Sequence, residues 1–434
     1  MDKARRIAVQ ALVRQEESGF ANLVLNAVLE HQDLTGRDRA FVSALFYGVT
    51  ERLLTLDWAL TNCLSRPLAK LDPQVRAILR SGLYQARYMQ VPRAVAVNES
   101  VSLCRALKKS SAAGLVNAVL RKAVTQDPAS ASFKTEDERL SIQYSVGLPV
   151  VKLLQKNYPE ECEQILQAFF ETPRVALRCN PLKTTPVQLT KLLESEGVEV
   201  ESGWLENTLL SKFTGSPAAT EAFRQGHYHV QGQASQLAAY SLQAKPGEKV
   251  LDLCAAPGGK TLTIGEDMEN TGTLISCDAV ESRLPLIEKA AARAGLTNVT
   301  VLHNDASVYR EEFAGADRVL CDVPCSGLGI IAKKPDIRYK TMDGVEQLHE
   351  LQAKILATAA RYVKEGGRIV YSTCTIDPRE NQNIVRAFLE QNAGFRLVSA
   401  PFVPEGARVE DGMLTLLPGK AGPDGFFIAI MEKL

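Results

Sequence analysis

Two cysteines stand in settings that suit chemistry: Cys325 in Asp322-Val323-Pro324-Cys325-Ser326-Gly327, and Cys374 in Tyr371-Ser372-Thr373-Cys374-Thr375. Each follows a short apolar run, Arg318 to Cys321 and Arg368 to Tyr371, that reads as a buried strand. Each run then breaks into polar, turn-forming residues. Cysteines at the carboxyl ends of two strands of one α/β sheet face a common crevice, where such sheets bind ligands. A thiol is suited to adding covalently to an electron-poor ring carbon, because some thiolate exists near neutral pH. The pair points to a nucleophilic enzyme, although on these residues alone a redox couple stays open, as does attack by the Pro324-Cys325 thiol rather than by Cys374.

The stretch Val250-Leu251-Asp252-Leu253-Cys254-Ala255-Ala256-Pro257-Gly258-Gly259-Lys260-Thr261 reads as a strand, a glycine turn and a helix start. Gly258 and Gly259 allow close approach of backbone to a ligand, and the helix start offers free N–H groups. A P-loop needs glycine where Cys254 stands, and no Gly-x-Gly-x-x-Gly is present. An S-adenosylmethionine site needs neither. It needs a tight loop, Cys254 to Lys260, and an acid at the end of the next strand for the ribose hydroxyls. Asp278 supplies that acid, and Asp305, after the third strand, is a candidate acceptor for an adenine amino group. An Asp after a strand is often only a turn former or cap. Three in successive crossovers, with Asp322 the third, favour a ligand site.

The elements that must position these residues follow from the apolar pattern. Lys249 to Leu253, Gly272 to Cys277, Val299 to Leu302, Arg318 to Cys321 and Arg368 to Tyr371 read as strands. Leu284 to Ala294, Gln347 to Val363 and Asn383 to Leu389 read as helices between or after them. This alternation predicts a doubly wound parallel sheet over residues 236–434. Residues 1–128 repeat apolar positions at three-to-four spacing and predict an all-α bundle ending in a polar linker. Residues 140–235 mix helices with strands at Val175 to Cys179 and Val198 to Val200, a small α+β domain.

Bulk properties agree with a multidomain soluble protein: 434 residues, 45% hydrophobic and 23% charged. No apolar run approaches the roughly 20 residues of a membrane span, and the stretch from Met1 is a poor signal peptide. The nine cysteines are odd in number and lack metal-ligand spacing, so no metal is expected, and a reduced cytoplasmic location fits them. Residues 1 to 125 hold 18 Lys/Arg against 10 Asp/Glu, an excess of +8; the remainder holds 32 against 40, or −8. A basic amino-terminal third suits a polyanion, and equally a solvated helical surface.

Taken together, Cys254 to Lys260, Asp322 to Gly327 and Ser372 to Thr375 resemble the RNA cytosine-C5 methyltransferases of the Nol1/Nop2/Sun group. The amino-terminal segment, through Val97-Asn98-Glu99-Ser100-Val101 and Leu115 to Arg121, resembles the NusB-like RNA-binding domain. Arg178-Cys179-Asn180-Pro181-Leu182-Lys183 is similar to the family's connecting module. The resemblance covers nearly the whole chain and implies a NusB-like bundle, a connecting domain and a Rossmann-like catalytic domain. It implies C5 methylation, from S-adenosylmethionine, of one cytosine in 16S rRNA; separately, free RNA or an early assembly intermediate is the expected substrate and a monomer the expected state. The alternatives are a cytosine of tRNA or 23S rRNA, or a non-catalytic assembly factor. In the implied mechanism Cys374 adds to C6, Cys325 assists release and Asp322 shares a proton with the N3 side of the ring. Lys260 would orient the cofactor end or the base. Gly232, where the family usually has an acid, is a departure that touches a local loop contact.

Other residues invite bland readings beside sharp ones. A free cysteine is most often a small buried hydrophobe, which is the expectation for Cys63, Cys104, Cys162, Cys179, Cys277 and Cys321, and for Cys254 within its loop. His303 and His349 have no evident partner. Lys333-Lys334-Pro335-Asp336-Ile337-Arg338 suits either a grip on RNA phosphates or a solvated charge run.

Overall fold

The computed structural model describes residues 3–18, 21–30, 32–172, 174–213 and 215–434; Met1 and Asp2, where the poor signal-peptide stretch begins, lie outside them. The chain divides into two units. One runs to Phe170 and includes Lys333–Met342; the other holds Glu171–Ala332 and Asp343–Leu434.

Helix formation in the first unit follows from its caps and apolar stripes. Its helices are α1 (Lys3–Ser18), α2 (Ala21–Glu30), α3 (Gly36–Glu51), α4 (Leu53–Thr61), α5 (Pro73–Tyr88), α6 (Arg93–Ala106), α7 (Ala113–Ala123), α8 (Glu136–Tyr144), α9 (Leu148–Asn157) and α10 (Cys162–Ala168). Thr35, Asp72 and Thr135 cap α3, α5 and α8 with side-chain oxygens, and Pro73 occupies the first turn of α5. Ile7, Leu45, Phe46, Leu56, Leu60, Ile78, Leu83 and Leu120 are fully buried in one core. Each such side chain contributes about 2 kcal/mol by leaving water.

Segment 333–342 packs inside this helical unit. Arg338 is wholly buried. Its guanidinium donates to the carbonyls of Phe169 and Tyr144, and its own carbonyl accepts from Gly147 N. The Tyr339 hydroxyl donates to Thr50 O at 2.6 Å and accepts from Leu53 N at 3.1 Å. Arg338 therefore cannot grip an external phosphate; only Lys333 and Lys334 of that charge run are exposed.

The second unit begins with a four-stranded antiparallel sheet in the order β2 (Val200–Ser202), β3 (Thr208–Ser211), β1 (Val175–Cys179), β4 (Tyr228–Val230), with α11 (Pro186–Ser195) and α12 (Glu221–Arg224). The Arg178 to Lys183 stretch rivets it to the larger sheet. Arg178 pairs with Glu266 at 3.2 Å and Asp267 at 2.6 Å, with almost no solvent access to its side chain. Asn180 donates to Gly226 O and Ala294 O, both at 3.0 Å.

The larger sheet comprises β5 (Lys249–Asp252), β6 (Thr273–Asp278), β7 (Val299–His303), β8 (Ala316–Asp322), β9 (Val363–Thr373), β10 (Phe395–Val398), β11 (Arg408–Glu410), β12 (Met413–Leu416) and β13 (Phe426–Lys433). Strand order is β11-β12-β13-β9-β8-β5-β6-β7, with β10 on β13. β5 to β9 pair in parallel, as the alternation predicts. The carboxyl-terminal strands pair antiparallel, so the sheet is mixed rather than wholly parallel. Side chains alternate between two faces. Leu251, Val319 and Ile369 pack on one core with α16 (Val345–Tyr362) and α17 (Gln382–Gln391); Val250, Leu320 and Val370 pack on the other with α13 (Gln233–Ser241) and α14 (Gly259–Asp267). α15 (Leu284–Ala294) links β6 to β7. The order reverses between β5 and β8, and ligands bind at such a switch point. Among the described residues no helix is long and apolar enough to cross a membrane.

Candidate active site

The switch point collects the sequence-derived residues from four strand ends. β8 ends at Asp322 and leads into Pro324-Cys325; its parallel neighbour β9 ends at Thr373 and leads into Cys374. The Cys325 and Cys374 sulfurs lie 3.3 Å apart. The hydrogen bond to Cys374, then burial, then the charges of Glu380 and Asp322 hold the Cys325 thiol well above the usual range. At that distance the two sulfurs share one hydrogen bond, and either can be its donor. Asp322 accepts from Lys260 Nζ at 2.6 Å through Oδ2 and from Ser372 Oγ at 2.8 Å through Oδ1. The Lys260 ammonium also stands 5.6 Å from the centre of the Phe426 ring.

β5 runs into Cys254 to Gly258 and then α14. Ala256–Pro257 is a cis peptide, and Gly258 has φ +105°. A Cβ at Gly258 would stand 3.2 Å from Ile287 Cα, so only glycine fits the turn. Asp278 at the end of β6 is buried and closes the loop: its carboxylate accepts from Ala256 N at 3.1 Å and Val280 N at 2.9 Å. Asp305 is exposed, and its Oδ1 accepts from both Ser307 N and Ser307 Oγ, which lowers its pKa. Asp305 therefore performs the turn-forming role common for an Asp after a strand. Cys254 packs against the sheet core, and burial pushes its thiol pKa well up, as for an inert packing residue.

Two residues without a role in the sequence reading complete the site. Asp252, wholly buried at the end of β5, accepts from Thr261 Oγ1 at 2.8 Å, while its Oδ1 has no hydrogen-bond partner among the described residues. Burial first, offset by Thr261 and Lys260, pushes its pKa up to about 7. An unpartnered buried acceptor beside a glycine turn suits a ligand that brings a donor, and the sequence signal was an acid inside an apolar strand. The second is Glu380. Fully buried, its carboxylate accepts from Ser326 N at 2.8 Å, from Ser326 Oγ, and from Gln352 Nε2 at 2.9 Å. Gln352 also donates to Pro324 O at 2.9 Å. Ser326 Oγ meets Thr375 Oγ1 at 2.7 Å, and Asn381 bonds Thr373 Oγ1 and Thr375 O. Glu380 and Asn381 thus hold both cysteine loops from beneath.

The other cysteines and His303 take structural places. Cys104, Cys162, Cys179, Cys277 and Cys321 are buried and Cys63 is half-buried against the helical core. His303 bonds the Ala279 carbonyl at 3.0 Å. Gly232 precedes α13 at its amino-terminal cap.

A switch-point crevice with a glycine turn, an acid after the second strand and paired thiols is the architecture of a methyltransferase. The chain superposes on the crystal structure of the protein called PH0851 with a TM-score of 0.84 at 27% identity, covering 100% of this chain and 99% of that one. It superposes on a methyltransferase homologue from Pyrococcus horikoshii with a TM-score of 0.62 at 26% identity, over 70% of this chain and 100% of that one. A family model described as 16S rRNA methyltransferase RsmB/F matches residues 239–432. The NusB family matches 2–125, and an RsmF/B-like methyltransferase ferredoxin-like domain matches 150–210. The chain is 36% identical to the probable ribosomal RNA small subunit methyltransferase B of Bacillus subtilis, over 99% of this chain and 98% of that protein. It is 34% identical to the ribosomal RNA small subunit methyltransferase B of Vibrio cholerae, over 99% and 97%. The chain belongs to the 16S rRNA methyltransferase RsmB/F family.

Proposed function

We propose that the chain methylates C5 of one cytosine in 16S rRNA, of the cytosine-967 type, through a covalent bond between Cys374 and C6. The observation that carries this reading is the pair of sulfurs 3.3 Å apart at the ends of two neighbouring parallel strands, beside Asp322. Cytosine C5 is a poor nucleophile until a thiolate adds to C6 and makes C5 enamine-like. Cys374 is that thiolate. Asp322, with Lys260 beside it, holds the N3 side of the ring. Bound S-adenosylmethionine supplies the electrophilic methyl group that C5 takes. A base then takes the C5 proton, the Cys374–C6 bond breaks with its electron pair returning to the Cys374 thiolate, the aromatic ring is restored, and Cys325 assists that release. The target base has to leave its stack to reach such a crevice.

For the cofactor we assign Cys254, Ala255, Ala256, Pro257, Gly258, Gly259 and Lys260 to the loop beside the methionine part. Asp278 faces the ribose, Asp305 and Asp322 the base side. The unpartnered Asp252 Oδ1 supports a donor-bearing ligand in this place. We assign residues 1–128 to RNA binding, 140–235 to connection and 236–434 to catalysis, in a cytoplasmic monomer.

Cys374→Ser is expected to abolish methyl transfer to small-subunit RNA while calorimetric binding of S-adenosylmethionine survives; retained transfer would overturn the nucleophile assignment. Cys325→Ala is expected to accumulate a protein–RNA adduct, seen as a shifted band on a denaturing gel. Bisulfite sequencing of ribosomal RNA from a deletion strain checks the substrate. Persistence of every small-subunit C5-methylcytosine would redirect the assignment to tRNA or 23S rRNA.

A further inference from the structure

The helical unit contains a cleft of ≈ 690 Å³ lined by Arg52, Arg87, Tyr88, Arg93, Thr125 and Gln143, among others. That volume falls within the range of roughly 300–1,000 Å³ typical of ligand sites. Three guanidinium groups converge there. Arg52 is fixed by aromatic rings rather than by an acid: its guanidinium carbon lies 3.5 Å from the Phe170 ring centre and 4.9 Å from that of Tyr88. Among the described residues neither the Arg52 nor the Arg93 side chain makes a hydrogen bond or an ion pair. Arg87 donates to Ala123 O at 2.6 Å. Burial lowers the Arg87 pKa, opposed by Tyr88 and then by the charge of Asp127, with the like charge of Arg93 a smaller lowering influence.

The acids nearby offset this cluster only in part, Asp127 being the one acid of the lining and acting on Arg87. One Asp127 oxygen caps Ala129 N at 3.0 Å. Glu51 is largely buried, which raises its pKa, and the charge of Arg338 acts on it ahead of that of Arg52. Like charges held together with one acid between three of them mark a place that an anion completes. Guanidinium forks match phosphate oxygens; the Tyr88 ring, which also meets the Tyr84 ring at 5.3 Å, keeps an exposed part that a neighbouring base can meet.

We propose that this cleft binds the phosphodiester backbone of RNA, with Arg52, Arg87 and Arg93 on phosphates and Tyr88 against a neighbouring base. It is a second RNA-binding surface, remote in sequence from the cysteine loops, and it rests on the reading of the chain as an RNA methyltransferase. The cleft holds the substrate without touching the reacting atoms. Its loss is expected to raise KM for RNA while leaving kcat within about twofold.

The test uses the full chain carrying Arg52→Gln and Arg93→Gln. The control carries Arg37→Gln and Arg66→Gln, which make the same charge change at exposed residues outside the cleft. Binding of a short fluorescein-labelled single-stranded RNA is followed by anisotropy across a salt series. Removing one arginine–phosphate hydrogen bond is expected to weaken binding roughly tenfold. The plot of log affinity against log salt is expected to flatten by about 1.4, at about 0.7 per phosphate neutralised. Arg93→Gln alone, which disturbs no internal partner, is expected to flatten it by about 0.7. Reduced affinity and slope in the cleft variants and not in the control supports the site. Wild-type affinity and slope in the cleft variants, or equal reductions in the control, overturn it. Methyl transfer to naked small-subunit RNA by the wild-type protein is measured in parallel. If transfer fails while the cleft variants still bind RNA weakly, the site stands and the substrate reading falls; if transfer succeeds and the cleft variants bind normally, the reverse holds.

Discussion

Replacing Glu380 separates the support of the cysteines from their chemistry. Its carboxylate meets three buried donors: Ser326 N, Ser326 Oγ and Gln352 Nε2. Glutamine keeps the shape. With its oxygen where Oε2 lies, it still accepts from Ser326 N and Gln352. Its NH2, where Oε1 lies, donates to Ser326 Oγ, whose own proton turns to Thr375 Oγ1 at 2.7 Å. Only charge assistance is lost, about 1 kcal/mol. Alanine orphans Ser326 N and one Gln352 N–H, while the Ser326 hydroxyl turns to Thr375, at about 1–3 kcal/mol for each orphan, and leaves a cavity as well. Glu380→Gln is therefore expected to lower Tm by about 2–4 °C and keep most activity, whereas Glu380→Ala lowers Tm by about 10 °C or more. Misplacing the thiol loops by about 1 Å costs on the order of 100-fold in kcat. Differential scanning fluorimetry and single-turnover methyl transfer measure the two effects. Equal behaviour of the two variants, or wild-type kcat in Glu380→Ala, would refute the positioning role.

Three further outcomes follow from the same geometry. Gly258→Ala forces a side chain into φ +105° against Ile287 and is expected to cost about 1–2 kcal/mol and to weaken S-adenosylmethionine binding, read by calorimetry. Asp252 has a folded-state pKa of about 7 against an ordinary 3.8, so the folded protein keeps the proton that the unfolded chain loses. Its contribution to stability is zero below both values, declines as pH rises between them and reaches a penalty on the order of 4 kcal/mol above the higher one. The Tm advantage of Asp252→Asn over wild type, without cofactor, is expected to widen from about pH 5 to about pH 8; a constant difference counts against the assignment. Arg178→Leu strands Glu266 and Asp267 and is expected to destabilise the second unit by about 3–5 kcal/mol in denaturant titration.

The parallel strands were legible because each is an unbroken apolar run ending in turn formers, and the cysteine pair was legible because its flanks are so specific. The antiparallel β10 to β13 escaped, since no strand–helix alternation continues past Leu389 to announce them. Phe426 to Met431 is nonetheless an apolar run that β propensity marks as a strand. Glu380 sits in Asp377-Pro378-Arg379-Glu380-Asn381, which locally reads as a solvated turn; only packing against α16 and the Cys325 loop buries it. Arg338 failed in the opposite direction. Its neighbours make a basic run, and no local pattern says that the run threads into a helical core.

That threading bears on how the protein divides. A gene fragment ending at Phe170 would encode α1 to α10 yet omit the ten residues that fill the unit. Thr50 O, Leu53 N and Gly147 N would face an open slot where Tyr339 and Arg338 belong. The helical unit is therefore not an autonomous module in the genetic sense. A faithful excised version must carry 333–342 as a tethered or added peptide, and an isolated catalytic fragment needs that segment cut out or shielded.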